Sequence, residues 1–275
     1  MAQNKQRRGL GPLGMLCAYT FAVGVGACGL LAEEGGAAAP EATPASFSVL
    51  VFTKTTGYRH SAIGAGVAAI RELGAAHGFS VTHTEDAASF SDEGLRGYRA
   101  VIFLLTSGDV LDEGQQAAFE RYIRAGGGFV GVHSASDTEY DWPWYGGLVG
   151  AYFADHPAIQ PAELRVVDAS HPSTAGLPER WARTDEWYNF RTPPGPDATV
   201  LLTIDEASYS GGTMGADHPM SWCQRYDGGR SWYTALGHTD ESYAEPLFRA
   251  HLAGGILWAA GAAGQDERAF LPMTG

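Results

Sequence analysis

Apolar and polar positions along this chain alternate between two periods. Residues 47–53 form a β-rich run that reads as a first strand. Ile63, Val67, Ile70 and Leu73 then recur near helical spacing, which predicts a helix from a Ser61 cap to about His77, with Gly78 as its stop. Residues 79–84 read as a second strand. Residues 100–106 form a third, apolar throughout, as expected of a strand buried on both faces of a parallel sheet. Asp112 opens a helix to about Ala125, and three glycines lead into a further apolar run. This alternation predicts an α/β fold: a doubly wound, mostly parallel sheet flanked by helices.

The texture changes after residue 140. Residues 140–152 are rich in aromatics and glycine and predict a helix or ordered loop lining a cleft. Residues 162–167, 181–190, 198–204, 219–226 and 230–236 are strand candidates. Asp227-Gly228-Gly229 makes a hairpin turn between the last two, so this half carries extra antiparallel strands. Residues 245–260 predict a final amphipathic helix.

Residues 126–137, Gly-Gly-Gly-Phe-Val-Gly-Val-His-Ser-Ala-Ser-Asp, are where chemistry first shows. A short apolar strand breaks into His133, Ser134, Ser136 and Asp137, the pattern of a site at a strand's carboxyl end. His238 repeats that context: an apolar strand, a glycine, then the polar break with Thr239 and Asp240. Both loops fall at one sheet edge in a doubly wound fold, and His60, in the loop after the first strand, joins them. His156 and His218 lie in Asp-His-Pro segments. His77, His83, His171 and His251 read as surface or structural. Alternation through residues 183–189 puts Asp185, Trp187 and Asn189 on one face and Glu186, Tyr188 and Phe190 on the other, so one of the two acids faces the site. Trp142, Trp144, Tyr145, Tyr152, Trp187 and Tyr188 are aromatic candidates for stacking on a sugar or for packing a core.

The amino terminus adds an address. Lys5, Arg7 and Arg8 precede a mostly apolar stretch that ends in Val-Gly-Ala-Cys, the layout of a secretory signal. Small residues followed directly by Cys28 resemble a bacterial lipobox. Residues 1–27 are then a signal peptide, Cys28 a lipid anchor, residues 28–46 a flexible tether, 47–262 the folded domain and 263–275 a tail. This predicts an exported protein, lipid-anchored to the bacterial cell envelope, that meets membrane only through the anchor. Cleavage removes three of 18 basic and none of 31 acidic residues, taking the net charge from −13 to −16. Such acidity argues against nucleic acid as a partner. Only Cys223 is then left as a thiol, in an apolar strand-like run, so no intramolecular disulfide is expected.

Several segments together resemble a known family: Phe-Thr-Lys-Thr-Thr-Gly-Tyr-Arg-His-Ser-Ala-Ile, Gly-Gly-Gly-Phe-Val-Gly-Val-His-Ser-Ala, Tyr-Phe-Ala-Asp-His-Pro, Asp-Glu-Trp-Tyr, His-Pro-Met-Ser-Trp and Gly-Arg-Ser-Trp-Tyr-Thr-Ala-Leu-Gly-His. In this order, over roughly residues 47–261, they look like the ThuA-like (trehalose utilisation) family. The resemblance implies the class I glutamine amidotransferase-like, flavodoxin-like fold and a role in carbohydrate metabolism. Family members are associated with trehalose and related disaccharides, often beside oxidoreductases that make 3-keto sugars. True amidotransferases of this fold present a cysteine on a Gly-x-Cys-x-Gly elbow and complete a triad with His-x-Glu. Here the elbow reads Gly131-Val132-His133-Ser134-Ala135 and the later pair His238-Thr239-Asp240. Without the nucleophile, glutamine hydrolysis is excluded.

Two imidazoles and a carboxylate can do general acid–base work or hold a divalent metal such as zinc, and both readings stay open. The expected catalytic residues are His133, His238, Asp240 and Glu186. His60, Asp185, Tyr58, Trp187 and Trp142 are expected to bind a small carbohydrate. The metal alternative draws on His133, His156 and His238, and Ser134 beside His238 is a weaker candidate nucleophile. A ketone acidifies the protons on its neighbouring carbons, so a base there can start isomerisation or elimination of a keto-glycoside. The competing class is a sugar-binding lipoprotein without turnover.

Overall fold

The structure, a computed structural model, describes residues 46–263. The expected signal peptide, the expected lipid-anchor Cys28, almost all of the expected tether and nearly all of the expected tail lie outside the described residues. Eleven strands and five α-helices follow in chain order: β1 (Phe47–Phe52), α1 (Ile63–His77), β2 (Phe79–Thr84), β3 (Tyr98–Leu104), α2 (Glu113–Arg124), β4 (Gly128–Val132), α3 (Pro143–Val149), β5 (Phe153–Asp155), β6 (Gln160–Val166), β7 (Arg180–Asp185), β8 (Asn189–Phe190), β9 (Thr199–Ile204), β10 (Pro219–Tyr226), β11 (Gly229–Thr234), α4 (Asp240–Ala244) and α5 (Pro246–Ala259).

Nine strands form one sheet in the order β2-β1-β3-β4-β11-β10-β9-β6-β7. From β2 to β11 every pairing is parallel, and from β11 to β7 every pairing is antiparallel. The mixed, mostly parallel sheet flanked by helices is therefore the expected fold, with its antiparallel strands in the later half. β5 and β8 make a separate two-stranded piece. The uninterrupted apolar strands earn central places: Val101 to Leu104 and Phe129, Val130 and Val132 have no exposure to solvent. Among the described residues no helix is long and apolar enough to cross a membrane.

Local chemistry sets the element ends. Asp112 caps α2 by accepting from the Gln115 amide, and the Gln115 side chain accepts from the Asp112 amide in return, a complete capping box. The expected Ser61 cap of α1 does not form. Ala62 occupies that position with near-helical backbone (φ −72°, ψ −4°), so no extended residue is there to turn a hydroxyl back on the first turn.

The antiparallel extension does not run on flat. Four strand spacings of about 4.8 Å would leave β7 roughly 19 Å from β11. Instead Asp185, the last residue of β7, accepts hydrogen bonds from the amides of Gly237 and His238, just beyond β11. The extension curls back over the last helices. The Trp181 indole donates to Glu245, and the Arg183 guanidinium lies over the rings of Trp181 and Phe248. That curl brings the end of an outermost strand to the carboxyl edge of the central ones.

Candidate functional site

Four segments meet at this edge. His60 comes from the loop after β1, His133 from the end of β4, Glu186 from just beyond β7 and His238 from just beyond β11. One ligand-capable atom from each lies within 4.8 Å of every other.

His133 sits on a sharp strand-to-helix elbow. It opens a short 3₁₀ turn over residues 133–137 with φ +52°, in the left-handed region that side chains with a Cβ rarely occupy. Its carbonyl is held by the Tyr233 hydroxyl at 2.8 Å and the Ser136 hydroxyl at 3.3 Å. Gly131 permits the tight turn, because a Cβ there would come within 2.9 Å of the Tyr233 ring. The imidazole is fully buried and lies 4.1 Å, ring to ring, from Tyr188. Its Nδ1 is 2.7 Å from the carbonyl oxygen of Ala235. A carbonyl only accepts, so Nδ1 carries the proton and Nε2 of the neutral ring is a bare lone pair.

That lone pair faces two other groups. His133 Nε2 is 3.1 Å from His238 Nδ1 and 3.3 Å from Glu186 Oε2, and His238 Nδ1 is 3.1 Å from the same oxygen. The second carboxylate oxygen, Oε1, is 3.1 Å from Nδ1 of the half-exposed His156. Burial acts to raise the Glu186 carboxyl, but the two imidazoles beside it, His133 and His238, outweigh it and hold the group well below the usual carboxylate range. Burial acts to lower His238, and Glu186, with Asp185 behind it, more than compensates, so this imidazole is raised. His60 goes the other way: burial, then the neighbouring His133 and His238, lower it to about 3, so it is neutral near pH 7.

A cleft of 360 Å³ opens over the cluster, lined by Tyr58, His60, Asp137, Phe153, His156, Glu186, Tyr188 and His238. Its size belongs to the small end of small-molecule sites, about 300–1,000 Å³. Tyr58 stands exposed at the rim, its ring edge-on to His60.

Not every candidate reaches the cleft. Asp240 is exposed and opens α4 after the Thr239 cap, where its charge suits the start of a helix. The carboxylate of the cluster is Glu186 instead. Asp185 is fully buried and binds the Gly237 and His238 amides and Arg183, so it holds the His238 loop and touches no cleft. Trp187 is in the core with its indole donating to the Gln160 carbonyl. Trp142 is also buried, donating to Glu120 and stacked on Trp144 and Tyr145. The aromatic helix α3 therefore packs a core and does not line the cleft. His156 is a rim residue rather than part of the tight cluster, and His60 replaces it there. Ser134 is 3.4 Å from His60 Nδ1, not paired with His238. Cys223 is buried in β10, its thiol pushed up to about 12 by burial, and has no part in the site.

Phe153 as a cleft wall, the Ala235 carbonyl that orients His133 and Tyr233 beneath the elbow were not legible in the sequence. Only the Gly-x-His spacing, which forces a sharp turn, signals that such supports are needed.

Fold and site together define an α/β protein of the flavodoxin-like kind, in which a histidine occupies the nucleophile elbow. The chain belongs to the ThuA family, described as trehalose utilisation, whose match spans residues 48–259. Its fold is shared by a putative ThuA-like protein of Bacteroides uniformis (24% identity, TM-score 0.67, covering 82% of this chain and 95% of that one). A putative ThuA-like protein of Parabacteroides merdae is similar (20% identity, TM-score 0.66, 82% and 93% covered). The cytoplasmic protein STM1381 of Salmonella typhimurium LT2 shares the fold at 10% identity and TM-score 0.58, with 78% of this chain and 99% of that one covered. No match is found among the curated proteins.

Proposed function

We propose that this chain is an exported, lipid-anchored enzyme of carbohydrate metabolism that moves a proton at a carbon next to a carbonyl in an oxidised glycoside. The carrying observation is the buried convergence of His60, His133, Glu186 and His238 at the floor of a cleft sized for a small molecule. Family membership, described as trehalose utilisation, supports trehalose and its relatives as the substrate class. A 3-keto-glycoside suits a site with bases but no elbow thiol or hydroxyl nucleophile, because enolisation needs only a base and a group that meets the charge growing on the carbonyl oxygen. His60, Glu186 and His238 face the cleft, and His133 lies behind them.

The test is proton exchange. Purified protein is incubated in deuterium oxide with 3-keto-trehalose or related 3-keto-glycosides, and label at the carbon beside the ketone is followed by NMR. Label is expected to appear, and His238→Ala should slow it by about 10²–10⁴-fold. If the wild-type protein, supplied with divalent metal, neither exchanges nor converts any of these substrates, the reading fails. Retained sugar binding would then favour a binding lipoprotein.

A further inference from the structure

We infer that His133 Nε2, His238 Nδ1 and Glu186 Oε2 form a three-ligand face for one divalent transition ion, zinc foremost. The fourth position opens on the cleft beside His60. The argument begins with distances. The three atoms make a nearly equilateral triangle of 3.1, 3.1 and 3.3 Å. Ligands bound at about 2.0–2.1 Å around a tetrahedral zinc stand roughly 3.3–3.4 Å apart, so the triangle is already close to one face of that polyhedron.

Proton counting leads to the same place. Hydrogen bonds along all three edges would need a donor on each. The Ala235 carbonyl takes the one proton of neutral His133, and Glu186 only accepts. His238 Nδ1 can carry one N–H, which serves one edge well. The His133–Glu186 edge is then lone pair against lone pair, with His133 fully buried and Glu186 nearly so. A cation in front of the triangle satisfies every edge at once.

The groups around the triangle hold its three side chains as the neighbours of metal ligands do. A metal-bound imidazole usually donates its other N–H to a carbonyl or carboxylate, which fixes tautomer and ring direction. His133 does so to Ala235. The backbone of His238 is pinned by Asp185, itself paired with Arg183 at 3.1 Å and Ser242 at 3.3 Å. The free oxygen of Glu186 is taken up by His156. The donor set, two imidazoles and one carboxylate, suits zinc and its neighbours and not magnesium or calcium, which prefer oxygen. The ion's use as the electrophile at a substrate carbonyl rests on the enolisation reading above; its binding does not.

The full mature chain, stripped by chelator dialysis and titrated with zinc chloride by calorimetry, should bind one equivalent. Cobalt(II) in its place should give the intense visible absorption of a four-coordinate centre. His133→Ala, His238→Ala and Glu186→Gln should each weaken zinc by about 100-fold or more, with circular dichroism reporting that each remains folded. His60→Ala should keep zinc within about tenfold while exchange activity falls. Absence of stoichiometric zinc in folded wild-type protein overturns the inference, as does undiminished affinity in Glu186→Gln and His238→Ala. Zinc binding without keto-sugar exchange would leave this site standing and sink the proposed reaction. Exchange by protein that binds no metal would do the reverse.

Discussion

The direction in which His133 points is set by groups that carry no charge. The Ala235 carbonyl holds Nδ1, the tilted ring of Tyr188 packs against the imidazole, and the hydroxyls of Tyr233 and Ser136 steady the backbone where its φ is strained. Removing one hydroxyl should therefore be felt twice. Tyr233→Phe is expected to cost about 1 kcal/mol, a lowering of roughly 2–4 °C in melting temperature, and to reduce exchange activity although the residue lies outside the cleft. Asp185 is a harsher case. Its carboxylate accepts from the Glu186, Gly237 and His238 amides and binds a guanidinium with no exposure to water, so Asp185→Ala leaves the buried Arg183 with Glu245 as its remaining ion-pair partner and frees the His238 loop. A loss of about 3–5 kcal/mol in urea unfolding is expected; a loss below 1 kcal/mol would show that the pair does not hold the loop. His133 and His238 were legible in the sequence because each ends an apolar strand after a glycine. The choice between Asp185 and Glu186 was not. β7 stops at Asp185, so the alternation that orders side chains within a strand no longer governs the next residue. Trp142 and Trp187 misled because an indole carries a polar handle, and both handles are satisfied inside the protein.

Among the elements, the parallel half follows the hydrophobic pattern closely, and α2 shows why. Its capping box was written as Asp-x-x-Gln, and both reciprocal bonds form. Asp112→Ala should cost about 1 kcal/mol, read as a modest drop in melting temperature with activity unchanged, since α2 contributes nothing to the cleft. The later half was legible strand by strand but not as an arrangement. Residues 181–190 read as one run, yet they divide into β7 and β8, and the break is where Glu186, Trp187 and Tyr188 take their separate places. A period-two pattern reports which residues share a face. It says nothing of how far a sheet curls, and here the curl decides which carboxylate reaches the histidines.

For the whole molecule, buried histidines set the response to acid. Burial lowers His251 to about 3 and His171 to about 4. In the unfolded chain both titrate near the ordinary value of about 6.5. Between those values the unfolded state binds more protons than the folded one, so stability rises with pH up to about 6.5 and is level in this respect above it. Melting temperature should thus fall steadily as pH drops from about 6.5 toward 4, and a flat profile over that window would contradict the burial of these two imidazoles.

The curled extension also bears on time. The loops that carry the cluster are tied by contacts across 74 positions of chain from His60 to Ser134, 105 from His133 to His238 and 53 from Asp185 to His238, and the last of these closes only when β7 has come round against α5. Contacts of long sequence separation form late, because loop closure must precede them. In a refolding experiment, far-ultraviolet circular dichroism should recover first as the parallel strands and helices assemble. Zinc uptake should lag behind it, and Asp185→Asn should lengthen that lag more than it slows the recovery of secondary structure.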